Sequence, residues 1–311
     1  MVRLAVITKS YAPDFELCAA LNRSVLHNSP DAVEHRIVVP RADVELFSRL
    51  EGSRTHICCE AVLLPRLFLR LPFVNVTINL ARPFPPVRGW IQQQVVKLAA
   101  IAASEEDVVL VVDSDVEFVR PFTAEMFVRD GVVRFFRNPD QIGTRLPRHM
   151  TWHRVARTLL RLPPVEPPYP DYISSPLAWD PNIVRQMLAR VAETTGQPWL
   201  TAIAGQLDFS ECVLYGLFVD GVLGAPANSF ASDDSLCLVY WEQTPLDQDS
   251  GLAFARRVRA TDIAAVIQSK SLTPIAVRHA AFAAIRAAFR TDQSSQRPGV
   301  AESGETSQSR D

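Results

Sequence analysis

The sequence predicts an α/β fold with a mostly parallel, Rossmann-like central sheet flanked by helices. Three observations predict it. Strand-like and helix-like segments alternate from the first residues onward, the signature of right-handed parallel βαβ units. Residues 108–112, VVLVV, form an unbroken and mostly β-branched apolar run, which reads as a strand buried on both faces. That run ends abruptly in Asp113, Ser114 and Asp115, and open α/β sheets bind ligands at the carboxyl ends of their strands.

The elements follow in order. Residues 3–7 read as a first strand, ending at Thr8, Lys9 and Ser10. Asp14 can cap a helix to about residue 27, with Phe15, Cys18, Leu21 and Val25 at helical spacing. Residues 35–39 read as a second strand, 43–50 as a short helix and 57–64 as a third strand. Residues 65–88, rich in Pro and Arg, read as a loop or lid. A helix over 90–103 then feeds the strand at 108. Further on, 132–136 read as a strand, 137–150 as loop, 155–162 as an amphipathic helix and 163–170 as a proline-rich loop. Helices follow at 180–195 and 210–218, strands at 236–241 and 263–267, and an alanine-rich helix at 274–289. The tail from Thr291 carries Ser, Gln, Gly, Glu and Asp and reads as disordered.

Composition narrows the function. The chain has 311 residues, 48% hydrophobic and 21% charged, within the range of a globular protein of one large or two small domains. A net charge of -2 gives no electrostatic case for nucleic acid. Five cysteines, with no C-x-x-C pair, suggest neither a disulfide framework nor a zinc site; a reducing cytoplasm is the expectation. The N-terminus turns polar too soon for a signal peptide, and charges and prolines interrupt the apolar stretch at 61–80. Lysine occurs only at positions 9, 97 and 270.

Three stretches carry chemistry. Two carboxylates at the sheet edge, Asp113 and Asp115, are costly to desolvate without a cation or hydrogen bonds. Oxygen-rich sites of this kind suit Mn²⁺ or Mg²⁺, which usually also hold substrate phosphates. The plainer reading is two loop aspartates capping a turn. On the helix over 90–103, Trp90, Gln93 or Gln94, and Lys97 share a face, so the lysine can neutralise phosphate and the amides can fix a base or sugar. In DFSECVLYG, Ser210 can cap a helix whose first turn holds Glu211, either a dipole-favoured structural carboxylate or a general base.

Taken together, GWIQQQVVKL, VDSDVEFVRPF, YISSPLAW and SECVLYG resemble the GT-A class of nucleotide-sugar glycosyltransferases, and more narrowly a bacterial group of glycosyltransferase-like proteins. The resemblance runs from the first strand to about residue 280. It implies a single catalytic domain over 1–290, with a nucleotide-binding half at 1–122 and an acceptor-side half at 123–290. It implies transfer of a sugar from a nucleotide-diphosphate sugar to a hydroxyl acceptor, in cell-surface glycan or glycoconjugate synthesis. Asp115 would ligate Mn²⁺ or Mg²⁺ at the diphosphate. Asp113 would be a second ligand or contact the ribose, with Ser114 beside it. Thr8, Lys9 and Asp14 would lie by the base, and Gln93 and Lys97 along the nucleotide sugar. Glu211 would be the base, and Tyr172, Ser174, Ser175 and Trp179 would line the acceptor side. His279, Gln268 and Ser269 are the candidates for completing the metal and diphosphate site.

Other readings compete. In a haloacid-dehalogenase-type phosphatase, Asp113 would be the nucleophile, Asp115 the acid/base, and Asp233 and Asp234 the later acidic pair. A non-catalytic nucleotide-sugar-binding module would keep the scaffold without turnover. Arg278, Arg286 and Arg290 on the last helix read first as the solvated edge of a packing helix. Peripheral contact with the inner face of a membrane is the alternative.

Overall fold

A computed structural model describes residues 2–65, 68–70, 76–80 and 82–295. The first half alternates as expected. β1 (Leu4–Lys9) leads to α1 (Phe15–Asn28), β2 (Glu34–Val39), the short α2 (Val44–Phe47) and β3 (Thr55–Cys59). The third strand stops at Cys59, five residues earlier than the sequence suggests, and α3 (Glu60–Leu63) follows. Glu60 is buried there and ion-paired to the equally buried Lys9, 3.1 Å away.

The expected loop over 65–88 is also corrected, as far as its described residues go; 66–67, 71–75 and 81 lie outside them. β4 (Phe68–Arg70), β5 (Val76–Asn79) and β6 (Arg82–Arg88) form an antiparallel sheet in that order. The prolines at 83, 85 and 86 fall in β6, an edge strand, where a missing N–H need not interrupt a ladder. α4 (Gly89–Ala102) then leads to β7 (Val108–Val111) and β8 (Val116–Phe118).

The second half is more broken. β9 (Val128–Arg129) pairs with β10 (Val132–Val133), and β11 (Phe135–Phe136) pairs later with β15 (Ala231–Ser232). Residues 137–150 are not all loop: β12 (Asn138–Ile142) pairs with β13 (Tyr169–Asp171), and α5 (Pro147–Leu160) begins well before residue 155. Pro147 stands in its first turn, where a missing N–H costs nothing. β14 (Leu177–Trp179) and α6 (Pro181–Thr195) follow. Asp180 caps α6 through Asn182 N–H at 2.7 Å, and Gly196, at φ 67°, ends it. α7 (Trp199–Ala204) and α9 (Gln248–Ala255) had no counterpart in the sequence reading; α8 (Glu211–Phe218), β16 (Cys237–Tyr240) and β17 (Ala264–Ile267) did. α10 (Ile275–Ser295) runs through Thr291, so the tail is helical to residue 295; 296–311 lie outside the described residues.

The central sheet has the order β14-β7-β1-β2-β3, with β7, β1, β2 and β3 parallel and β14 antiparallel at the edge. A strand of the second half thus pairs directly with the strand that ends at Asp113. A second sheet, β16-β17-β8, takes up the chain just beyond Asp115. Among the described residues no helix is long and apolar enough to cross a membrane.

Two details carry the packing. Gly216 of α8 lies under the ring of Tyr172, where a Cβ would come within 2.2 Å of the ring carbon Cγ. His35 of β2 is fully buried, its Nδ1 facing Asn22 Oδ1 at 2.8 Å and its Nε2 facing the Thr8 hydroxyl at 2.9 Å. Burial lowers its pKa to about 3, so it is neutral in the folded chain.

Gly216→Ala is expected to lower stability by about 2 kcal/mol or more through overpacking, read as a fall in denaturation midpoint. For His35 the folded pKa lies below the unfolded value of about 6.5. Its contribution is therefore complete above pH 6.5 and is lost progressively as pH falls from there toward about 3. Denaturant midpoints across that window should fall less steeply in His35→Gln than in the parent chain; equal slopes would show that His35 is not the group responsible.

Candidate active site

A cleft of about 300 Å³ opens at the carboxyl ends of β1 and β7. It gathers Lys9, Asp14, Gln93, Lys97, Asp113, Ser114, Asp115, Ser174, Ser175 and Glu211 from distant parts of the sequence. All three lysines of the chain line it, the third being Lys270.

α4 organises one wall. Its Ile91, Val95 and Leu98 are buried in the core, which turns Lys97 toward the end of β7. Lys97 Nζ lies 2.7 Å from Asp113 Oδ1 and 3.3 Å from Glu211 Oε1. Burial alone would lower the lysine's pKa; the two carboxylates outweigh it and raise the value. Gln94, one residue from the predicted Gln93, is a bracket between helices. Its amide donates to the Phe209 carbonyl at 2.9 Å and its oxygen accepts from Glu211 N–H at 2.7 Å. Trp90 Nε1 donates to the same carbonyl at 3.1 Å. These bonds and the Ser210 cap of α8 fix Glu211 at the helix start. Burial raises its pKa, and Lys97 opposes that rise.

The acidic pair is asymmetric. Asp113 is half-exposed and bonded to Lys97. Asp115 is tucked in: Ser269 N–H donates to Oδ2 at 2.7 Å, while Oδ1 is buried with no hydrogen-bond partner. Burial and the Asp113 charge push its pKa up to about 6 against the pull of Ser269 N–H and Arg278. Buried acceptors are nearly always partnered, so an orphaned carboxylate oxygen beside a second carboxylate fits an oxygen-seeking divalent cation. Among the described residues no three His, Cys, Asp or Glu side chains converge. Asp113 and Asp115 are the carboxylates that would hold such a cation. Gln268 and Ser269 line the cleft with Asp115, whereas His279 lies in a different groove and is not placed to complete the set.

The opposite wall carries two further orphans, the buried hydroxyls of Ser174 and Ser175. An aromatic rim, not picked out from the sequence, adds Trp152 stacked on Trp90 at 6.2 Å, His149 against Trp152 at 4.5 Å, and Lys270 over Trp90 at 5.9 Å. The rarity of lysine was the one signal that could have found Lys270. His149 lines the cleft, and His153 is buried between Tyr169 and Tyr172.

Besides His279, three predicted residues do not reach the cleft. Thr8 points into the sheet's packing and holds His35. Tyr172 is buried over Gly216, its hydroxyl donating to Asp220 at 2.8 Å. Trp179 is buried in β14 and stacked on Tyr215 at 4.6 Å. Asp233 and Asp234, the later pair required by the phosphatase reading, are absent from this cleft as well; Asp234 is ion-paired to Arg259 at 2.9 Å.

Lys97→Met leaves Glu211 buried beside Asp113 without its cation and is expected to cost about 3 kcal/mol of stability. The double variant Lys97→Met/Glu211→Gln should recover part of that loss, because the stranded charge goes with its partner. Additive effects in denaturant unfolding would mean that the two side chains do not interact.

Among solved structures the chain is similar to an active-site mutant of LgtC (TM-score 0.46, 12% identity, 91% of this chain and 95% of that one). It is similar also to the galactosyltransferase LgtC in complex with donor and acceptor sugar analogs (TM-score 0.45, 12% identity, 91% and 95%). A third is the apo form of mouse xyloside xylosyltransferase 1 (TM-score 0.46, 13% identity, 88% and 99%). Comparison with curated protein sequences gives no match. The model of the "Family of unknown function (DUF6492)" matches residues 1–283, and the chain belongs to that family.

Proposed function

We propose that the chain is a metal-dependent glycosyltransferase of GT-A type that moves a sugar from a nucleotide-diphosphate sugar to a hydroxyl acceptor. The observation that carries this reading is a set of three buried, unpartnered oxygens, Asp115 Oδ1, Ser174 Oγ and Ser175 Oγ, in one cleft with all three lysines. Unpaired buried polar atoms are costly; they await a ligand that is itself polar, anionic at one end and rich in hydroxyls at the other.

Asp115 and Asp113 are the residues that would hold Mn²⁺ or Mg²⁺, which when bound supplies neutralisation of the departing diphosphate. Lys97 adds fixed positive charge beside it. Ser174 and Ser175 offer hydroxyls to a sugar, and the exposed face of Trp90 offers a flat surface to its C–H groups. Glu211 takes the proton of the acceptor hydroxyl as that oxygen bonds to the anomeric carbon and the bond from that carbon to the diphosphate oxygen breaks. Burial raises the proton affinity of Glu211 and Lys97 opposes that rise, two opposing pulls of the kind that tune a general base. Lys9, at the end of β1, and Asp14, just before α1, line the same cleft and would lie by the base of the nucleotide.

The test is a thermal-shift screen of nucleoside diphosphates and their sugars with and without Mn²⁺, followed by turnover on the donor that binds. Asp115→Ala should abolish the Mn²⁺-dependent shift. Glu211→Gln should keep the shift and lower turnover by about 10²–10⁴-fold. Normal turnover in Glu211→Gln would remove that residue from the chemistry. A parent chain that binds no nucleoside diphosphate with Mn²⁺ would end the proposal, and donor binding without any transfer or hydrolysis would favour a non-catalytic binding module.

A further inference from the structure

A second cavity, of about 810 Å³, lies between α1, the β8 segment through Pro121, and α10. It shares no lining residue with the cleft. We infer that this groove is a binding site for a phosphate-bearing anion, separate from the site of sugar transfer and independent of that reading.

Arg23 and His27 are four residues apart on α1 and so share one face of it. His279 and Arg286 are seven apart on α10, two turns, and share one face of that helix. Both faces line the same groove, and Arg120 enters from the strand side. Three guanidinium groups and two imidazoles thus converge from three elements, opposed by one carboxylate, Glu117.

The partners of these groups show which charge is spare. Glu117 is taken by Arg286 at 3.0 Å. Arg120 lies 4.6 Å over the Phe289 ring and donates to the Ala260 carbonyl. The Arg23 side chain makes no hydrogen bond or ion pair among the described residues and is exposed at the groove's edge. Like charges brought together across separate elements repel unless an anion sits among them. A guanidinium fork matches phosphate oxygens, and a phosphate offers enough acceptors for donors arriving from several directions. The volume is within the range of small-molecule sites. The same chemistry occurs in a free phosphorylated compound and in a phospholipid headgroup, and α10 presents it without being able to span a bilayer.

Two probes separate these sources. The full chain is titrated with inorganic pyrophosphate, and sedimented with phosphatidylcholine vesicles with and without phosphatidylglycerol. Binding to pyrophosphate, or to the phosphatidylglycerol vesicles alone, should weaken about tenfold in Arg23→Glu and survive in Asp115→Ala. Glu117→Gln, which removes the one carboxylate lining the groove among the described residues, should tighten it. Arg23→Gln serves as a milder variant should the charge reversal lower the melting temperature. A pyrophosphate response identifies a soluble ligand, and a response confined to phosphatidylglycerol identifies a membrane headgroup; either supports the site. No binding of either probe, or binding indifferent to Arg23→Glu, overturns it.

Discussion

The structure turns on the position of Lys97 between two carboxylates that are far apart in sequence. Asp113 ends the strand beside β1, and Glu211 begins a helix of the second half. An ammonium group lies 2.7 Å from one and 3.3 Å from the other, and it opposes the rise that burial imposes on the Glu211 pKa. Replacing such a cation by an apolar side chain strands charge, so α4, β7 and α8 are tied at one point. Gln94 repeats the tie with neutral groups, bonding both the Phe209 carbonyl and the Glu211 amide. The acidic end of the sheet and the acidic helix start therefore keep a fixed relation before any ligand arrives.

That fixed relation leaves Asp115 as the less satisfied acid. Asp113 has the lysine, and Asp115 has one backbone N–H on one oxygen and nothing on the other. The ground below it is also set: Arg278, itself buried, donates to the Ile267 and Gln268 carbonyls at the end of β17, which fixes the turn that brings Ser269 N–H to Asp115. The acidic edge of the sheet is therefore shaped from both sides, by α4 in the first half and by α10 at the end of the chain.

Much of this was legible in the sequence because it depends on local pattern. The apolar run before Asp113 announced a buried parallel strand, and the spacing of Trp90, Gln93 or Gln94, and Lys97 announced one helix face. Asp113, Asp115, Lys97 and Glu211 could be named from such patterns, whereas Asp14, Ser174 and Ser175 followed only from the family resemblance. The misreadings have a common physical source. Thr8 follows β1 directly in a naive count, but β1 runs on through Lys9, so the alternation of a strand sends Thr8 to the packed side. Tyr172 and Trp179 bracket the serines in sequence, yet large rings next to a glycine and a tyrosine gain more from burial than from a wet cleft wall. Residues 65–88 looked like loop because proline usually breaks strands; an edge strand is the exception. None of these outcomes is visible until the neighbours across the sheet are known.

The two halves of the chain are joined by register, not merely by proximity. β14 pairs antiparallel with β7, setting Leu177 opposite Val111 and Trp179 opposite Val109. Ser174 and Ser175 therefore arrive at the same end of the sheet as Asp113, because an antiparallel partner enters where the parallel strand leaves. A slip of one residue would reverse which side chains face the cleft. The stacking of Trp179 on Tyr215, with planes 6° apart, opposes such a slip, and the Tyr215 hydroxyl accepts from Asp180 N–H at 3.1 Å at the point where β14 passes into α6. The aromatic residues that sequence reasoning assigned to substrate thus act one layer behind it. They fix the register that presents two serine hydroxyls, rather than a packed face, to the cleft.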